Sequence, residues 1–180
     1  MSTSGSDGGD APLILTAQLP EDLHARYTAL RTAHFPPERN FLEAHVTLFH
    51  ALPAMSEGEV ISCCKRIAAN VAPVRGQVVG LMSLGGGTAI KLESDGMLRL
   101  RERLAENFHG LLTAQDQHRP RLHVTIQNKV TSAEAKALQA ELAEFIVPRP
   151  FAFPGLSLFR YRGGPWEPVR SFAFRGREES

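Results

Sequence analysis

Cysteine is nearly absent from this chain of 180 residues: there are two, Cys63 and Cys64, and they are neighbours. Adjacent residues on a helix point in different directions, so a disulfide between them is not expected. No cysteine spacing has a metal-binding form. The two read as small apolar residues of a cytosolic protein. Long apolar runs are also missing, and nothing approaches the roughly 20 residues of a membrane span. Residues 1–12 are rich in Ser, Gly and Asp, without the basic region and apolar stretch of a secretory signal. The expectation is a cytoplasmic protein without membrane contact, with 1–11 a flexible tail and 12–176 a single domain. An excess of charge is missing too, the formal net charge being +1. A strongly basic surface is therefore not implied, and contact with nucleic acid should be a local pocket. What the chain does have is 43% hydrophobic residues, enough for a core, and an ordinary 22% charged fraction, which argues against disorder. Its length suits one domain or two small lobes folded as a unit.

The order of elements is legible from periodicity. Leu13 to Leu19 reads as a strand, and Glu21 to His34 as a helix with Leu23, Tyr27 and Leu30 at helical spacing, ended by Pro36-Pro37. Ala44 to Phe49 is a second strand. Ser56 with Glu59 has a capping-box pattern ahead of a stripe of Val60, Cys64, Ile67 and Val71. Gln77 to Leu84 and Thr88 to Glu93 read as strands joined at Gly85-Gly86-Gly87, which lacks the Lys-Ser/Thr of a phosphate loop. A helix over Met97 to Leu112 and a polar stretch from Gln115 to Arg119 lead to Leu122 to Gln127, a further strand. Thr131 with Glu134 caps the next helix. Pro150 to Phe174 alternates as two strands around Gly163-Gly164-Pro165.

The two halves repeat one order: strand, helix, loop, His-Val-Thr strand, capping box, helix. His45 stands 31 positions after Ile14, and His123 stands 33 after Ile90. This duplication predicts an α+β, bilobal, pseudo-twofold fold: each lobe a small mostly antiparallel sheet with outer helices, the active site in the central cleft.

Each half carries one His-Val-Thr-apolar tetrapeptide, His45-Val46-Thr47-Leu48 and His123-Val124-Thr125-Ile126. Side chains alternate along a strand, so His and Thr share one face and the apolar pair packs on the other. If the lobes face each other, two His/Thr pairs meet in the cleft. Imidazole has an ordinary pKa near 6.5, so one copy can take a proton from a nucleophile while the other gives one to a departing oxygen. Threonine hydroxyls can hold the non-bridging oxygens of a phosphate. Neither step calls for a metal or a cofactor.

With these two tetrapeptides and the duplicated order, the sequence resembles the 2H phosphoesterases, in particular the bacterial 2′-5′ RNA ligase-like or RNA 2′,3′-cyclic phosphodiesterase proteins. The resemblance runs from about Leu13 to Phe174. It implies catalysis by His45 and His123 and phosphate binding by Thr47 and Thr125. It also implies a substrate with a 2′,3′-cyclic phosphate, on an RNA end or a small nucleotide, opened to a 2′-phosphate, or a reversible 2′-5′ joining of RNA ends. A non-catalytic RNA-end or nucleotide-binding module is the alternative from another class. Better-known bacterial members often carry an aromatic residue shortly after the first motif and an arginine shortly after the second. This chain has Phe49-His50 and Gln127-Asn128-Lys129 there.

Secondary candidates follow from position. Lys129 shares the face of His123 and Thr125 if that strand continues; it would then neutralise phosphate, and otherwise it is a solvated strand end. Trp166, near the Gly163-Gly164 turn with Tyr161 and Arg162, would stack on a base at the cleft mouth or cap the sheet. Arg119 and Arg121 read as surface residues that could guide an anion. His50 would face away from His45, which argues against a shared metal site. A monomer is expected.

Overall fold

The computed structural model describes residues 11–178, so the expected tail lies outside the described residues except for Ala11, which is buried. Eight strands form two four-stranded antiparallel sheets, accompanied by five helices. The first sheet is built from β1 (Leu13–Ala17), β2 (Val46–Leu52), β7 (Gly155–Tyr161) and β8 (Trp166–Ala173), in the order β2-β1-β7-β8. The second takes β3 (Val74–Ser83), β4 (Thr88–Glu93), β5 (His123–Gln127) and β6 (Arg149–Phe153), in the order β5-β4-β3-β6. The helices are α1 (Glu21–His34), α2 (Glu57–Asn70), α3 (Asp95–Asn107), α4 (Ala114–Gln117) and α5 (Ser132–Leu142). Among these residues no helix is long and apolar enough to cross a membrane.

The bilobal α+β architecture is the one the duplication predicts, with one change in how the chain is shared out. The lobes are not the two sequence halves. The C-terminal part holds three strands where alternation suggested two, and they divide between the sheets: β6 pairs with β3, then β7 and β8 return to β1. The switch falls at Pro154-Gly155. Pro154 has no N–H to continue a ladder. At Gly155 a Cβ would run into the Phe172 carbonyl oxygen, so only glycine permits the close approach of β8. Local alternation cannot reveal a change of sheet, because both strands alternate in the same way.

Caps also sort themselves by tertiary context. Thr131 accepts from the Glu134 N–H at 3.1 Å and opens α5 as its pattern predicts. Ser56 does not cap α2; its hydroxyl donates to the Pro53 carbonyl at 2.6 Å within a 3-10 turn, which replaces the expected capping box. Ser94, accepting from Met97 N–H at 3.1 Å, starts α3 two residues before the start read from the apolar stripe.

β2 and β5, the strands that carry the repeated motif, are both edge strands. An edge strand leaves backbone groups unpaired, and burying them unpaired is costly. Here side chains from elsewhere in the fold supply the partners. Arg31 on α1 donates to the Thr125 carbonyl on β5 at 2.7 Å, to the Leu42 carbonyl at 3.1 Å and to Asn40 Oδ1 at 3.2 Å. Arg101 on α3 donates to the Leu48 carbonyl on β2 at 3.2 Å and to the Asp116 carbonyl. The Asp116 carboxylate, 1% exposed on α4, accepts from the N–H groups of His50 and Ala51 at 2.9 Å and lies 3.2 Å from His50 Nδ1. Both arginines are buried, with guanidinium groups 4.3 Å from the ring centres of Phe35 and Phe49. The polar stretch Gln115 to Arg119 therefore contains an anchor that its composition does not announce.

Burial alone would raise the Asp116 pKa, but the hydrogen bonds from the His50 side chain and from the His50 and Ala51 backbone outweigh it and hold the carboxyl below its ordinary value. A carboxyl lowered on folding adds stability above the ordinary carboxylate range and loses it as the pH falls through that range. Asp116→Ala leaves two strand N–H groups without an acceptor. It should cost about 3 kcal/mol and flatten the acid limb of stability, as read by urea denaturation from pH 7 to pH 3.

Candidate active site

The alternation of the tetrapeptides is realised in both strands. Val46, Leu48, Val124 and Ile126 are fully buried, whereas His45, Thr47, His123 and Thr125 are half-buried on the opposite face. His45 lies immediately before β2, and His123 opens β5. Thr47 is in register with Thr16, and Thr125 with Ala89.

The two imidazoles are held by the same local device. His45 Nδ1 lies 2.8 Å from the Glu43 carbonyl, and His123 Nδ1 lies 2.6 Å from the Arg121 carbonyl, each two residues upstream. A carbonyl can only accept, so Nδ1 carries the proton in each ring. In the neutral ring Nε2 then keeps its lone pair. Arg121 thus contributes through its backbone and not through its charge.

Burial is the main reason that the His45 pKa falls, to about 4, with the neighbouring Arg31, His123 and His50 charges working in the same direction and the Glu43 carbonyl against it. His45 is therefore neutral at physiological pH in the free protein. His123 is among the charges that bear on His45, and β2 and β5 approach each other.

Trp166 stands over His45, ring centres 4.6 Å apart and planes tilted by 57°. Phe159 backs it at 5.5 Å. Trp166 thus lies against the first motif. Together with Phe41, Gln18 and Ser157 these residues line a recess of about 460 Å³ that opens from His45 along the inner face of the first sheet. Phe41 was missed from sequence because it lies in an irregular segment with no periodicity. Gln18 and Ser157 were missed because single polar residues on strands carry no pattern.

Of the motif residues the recess takes in His45 but not Thr47, His123 or Thr125, and it does not take in Lys129. β5 ends at Gln127, and Lys129 follows in a left-handed turn, φ 60°, so the alternation that linked it to His123 and Thr125 stops short of it. It lines a separate recess with His34 and Glu134. Arg119 pairs with Glu102 at 3.7 Å, and Arg162 with Glu167 at 2.6 Å. His50 is occupied by Asp116. Among the described residues no group of three or more His, Cys, Asp or Glu side chains could hold a metal ion.

This geometry has counterparts. TT0787 of Thermus thermophilus superposes with a TM-score of 0.63 at 20% identity, over 93% of this chain and 100% of that one. The E. coli LigT complex with 3′-AMP gives 0.63 at 17% identity, over 92% and 98%. The LigT complex with NADP+ gives 0.60 at 18% identity, over 92% and 99%. At such identities the likeness concerns the fold. No curated protein matches the sequence. The model of the 2′-5′ RNA ligase superfamily matches residues 19–165, a span that contains both His-Val-Thr segments. The chain belongs to the 2′-5′ RNA ligase superfamily.

Proposed function

We propose that the protein is a cyclic phosphodiesterase that opens 2′,3′-cyclic phosphates, on RNA ends or small nucleotides, to 2′-phosphates. The observation that carries this reading is the paired tautomer lock: two His-x-Thr segments on neighbouring edge strands, each imidazole pinned at Nδ1 with Nε2 left for proton transfer. In this reaction a water oxygen attacks phosphorus as its proton passes to one Nε2. The P–O3′ bond breaks as the other imidazole protonates O3′. Thr47 and Thr125 donate to the non-bridging oxygens and keep the attack in line. His45, neutral in the free protein, gains a negatively charged neighbour when phosphate binds, and its pKa rises toward the working range.

Superfamily membership supports a second use of the same atoms, in which an RNA 5′-hydroxyl replaces water and a 2′-5′ bond is formed. Analysis of the products formed from cleaved tRNA halves separates hydrolysis from joining. That LigT has been crystallised with 3′-AMP, ATP and NADP+ supports a nucleotide ligand for this chain as well.

His45→Ala and His123→Ala should each lower hydrolysis of a nucleoside 2′,3′-cyclic phosphate by about 10²–10⁴-fold with the thermal midpoint retained, and wild-type activity should persist in chelator. Unchanged rates in both variants would refute the assignment. Binding of a nucleoside 2′-phosphate at pH 6 should draw protons from the buffer, because phosphate raises a His45 pKa that starts at about 4. Calorimetry in buffers of different ionisation enthalpy measures this uptake, and His45→Gln should diminish it.

A further inference from the structure

The recess beside His45 has a composition that bears on which cyclic phosphate it takes. One wall is aromatic, with Trp166 and Phe159 in contact and Phe41 57% exposed at the mouth. The polar groups are few and mostly neutral. Gln18 Nε2 donates to the Leu156 carbonyl at 3.1 Å and to Ser157 Oγ at 2.8 Å. Ser157 Oγ thus already accepts a hydrogen bond, and its own proton is available to a ligand. No lysine or arginine is among the described residues that line the recess. Its one acidic side chain is Glu43, 75% exposed, which lies 3.2 Å from His24 Nε2. Basic recesses do exist elsewhere: Lys65, Arg170 and Arg175 line one of about 200 Å³ between α2 and β8, remote in sequence from both motifs.

A recess of this volume suits a small ligand, and aromatic faces stack on any base. A phosphate group needs donors or cations; here the Ser157 hydroxyl is a neutral donor, His24 is held by Glu43, and no lysine or arginine of the lining offsets that exposed carboxylate. Chain-end recognition requires room and charge for the phosphate that links the terminal nucleoside to the rest of the RNA.

We propose that this recess binds the base and sugar of the nucleoside carrying the reacting phosphate. Glu43 and the lack of a basic lining select against a second phosphate at the 5′ position. The preferred substrate class is then the 2′,3′-cyclic phosphate of a free nucleoside, not the end of an RNA chain. The inference rests on the phosphodiesterase reading for its reaction, but its selectivity can be measured by binding alone.

Calorimetric titration of the full chain with a nucleoside 2′-monophosphate and with the matching 2′,5′-bisphosphate tests it. The expected result is binding about tenfold tighter for the monophosphate, with the gap narrowed in Glu43→Gln and both ligands weakened in Trp166→Ala. Glu43→Gln keeps the backbone carbonyl that holds His45, so a narrowed gap reports the side-chain charge. Equal or tighter binding of the bisphosphate overturns the proposal, as does a gap that Glu43→Gln leaves unchanged. Turnover is read separately on the corresponding cyclic phosphates and on a base-free cyclic phosphate. Failure to open any of them counts against the phosphodiesterase reading. Turnover of all three at equal kcat/KM counts against nucleoside selection alone.

Discussion

The site depends on two edge strands that do not pair with each other. β2 and β5 are the edges of separate sheets and approach each other, and their outward backbone groups need partners that no neighbouring strand supplies. Arg31, Arg101 and the Asp116 carboxylate provide them. Each arginine is anchored on a helix and reaches a carbonyl within or beside a His-Val-Thr segment. The relative position of the two motifs is therefore fixed by buried, charge-assisted hydrogen bonds, which are directional, and not only by apolar packing, which is not. Arg31 is the more consequential of the two. It holds the segment just before His45 and the carbonyl of Thr125 with one guanidinium group.

The same arginine influences the chemistry. Its hydrogen-bond partners are two carbonyls and an asparagine, all neutral, so its charge is felt nearby. His45 is one of the groups that feel it, and burial together with this charge keeps the imidazole unprotonated in the free protein. A cleft whose charge disfavours a second cation would suit an anion, in keeping with the proposed phosphate ligand. Structural bracing and the proposed affinity for phosphate would thus have one source.

Much of the fold could be read from the chain because the signals were local. α1 spans Glu21–His34, the bounds its apolar spacing and the Pro36-Pro37 break predict. β4 spans Thr88–Glu93, as its alternation next to a glycine turn predicts. Other features were hidden because they depend on partners distant in sequence. Ser56 has the pattern of a cap yet bonds to Pro53, and Asp116 sits in a stretch that reads only as polar yet is buried against β2. The three C-terminal strands divide between the sheets at Pro154-Gly155, a decision made by what β8 packs against.

The sequence by itself determined the candidate reacting groups. A period of two places His45 with Thr47 and His123 with Thr125, and a duplicated order of elements implies that the pairs face each other. These follow from chain geometry, which needs no partner. Tertiary structure decided the surroundings: that Trp166 stands over His45, that Lys129 turns away after β5 ends, and that Phe41 and Glu43 frame a recess without a basic lining. The physical reason is that the depth, charge and dielectric of a cleft are sums over residues far apart in the chain, and no local pattern carries such a sum.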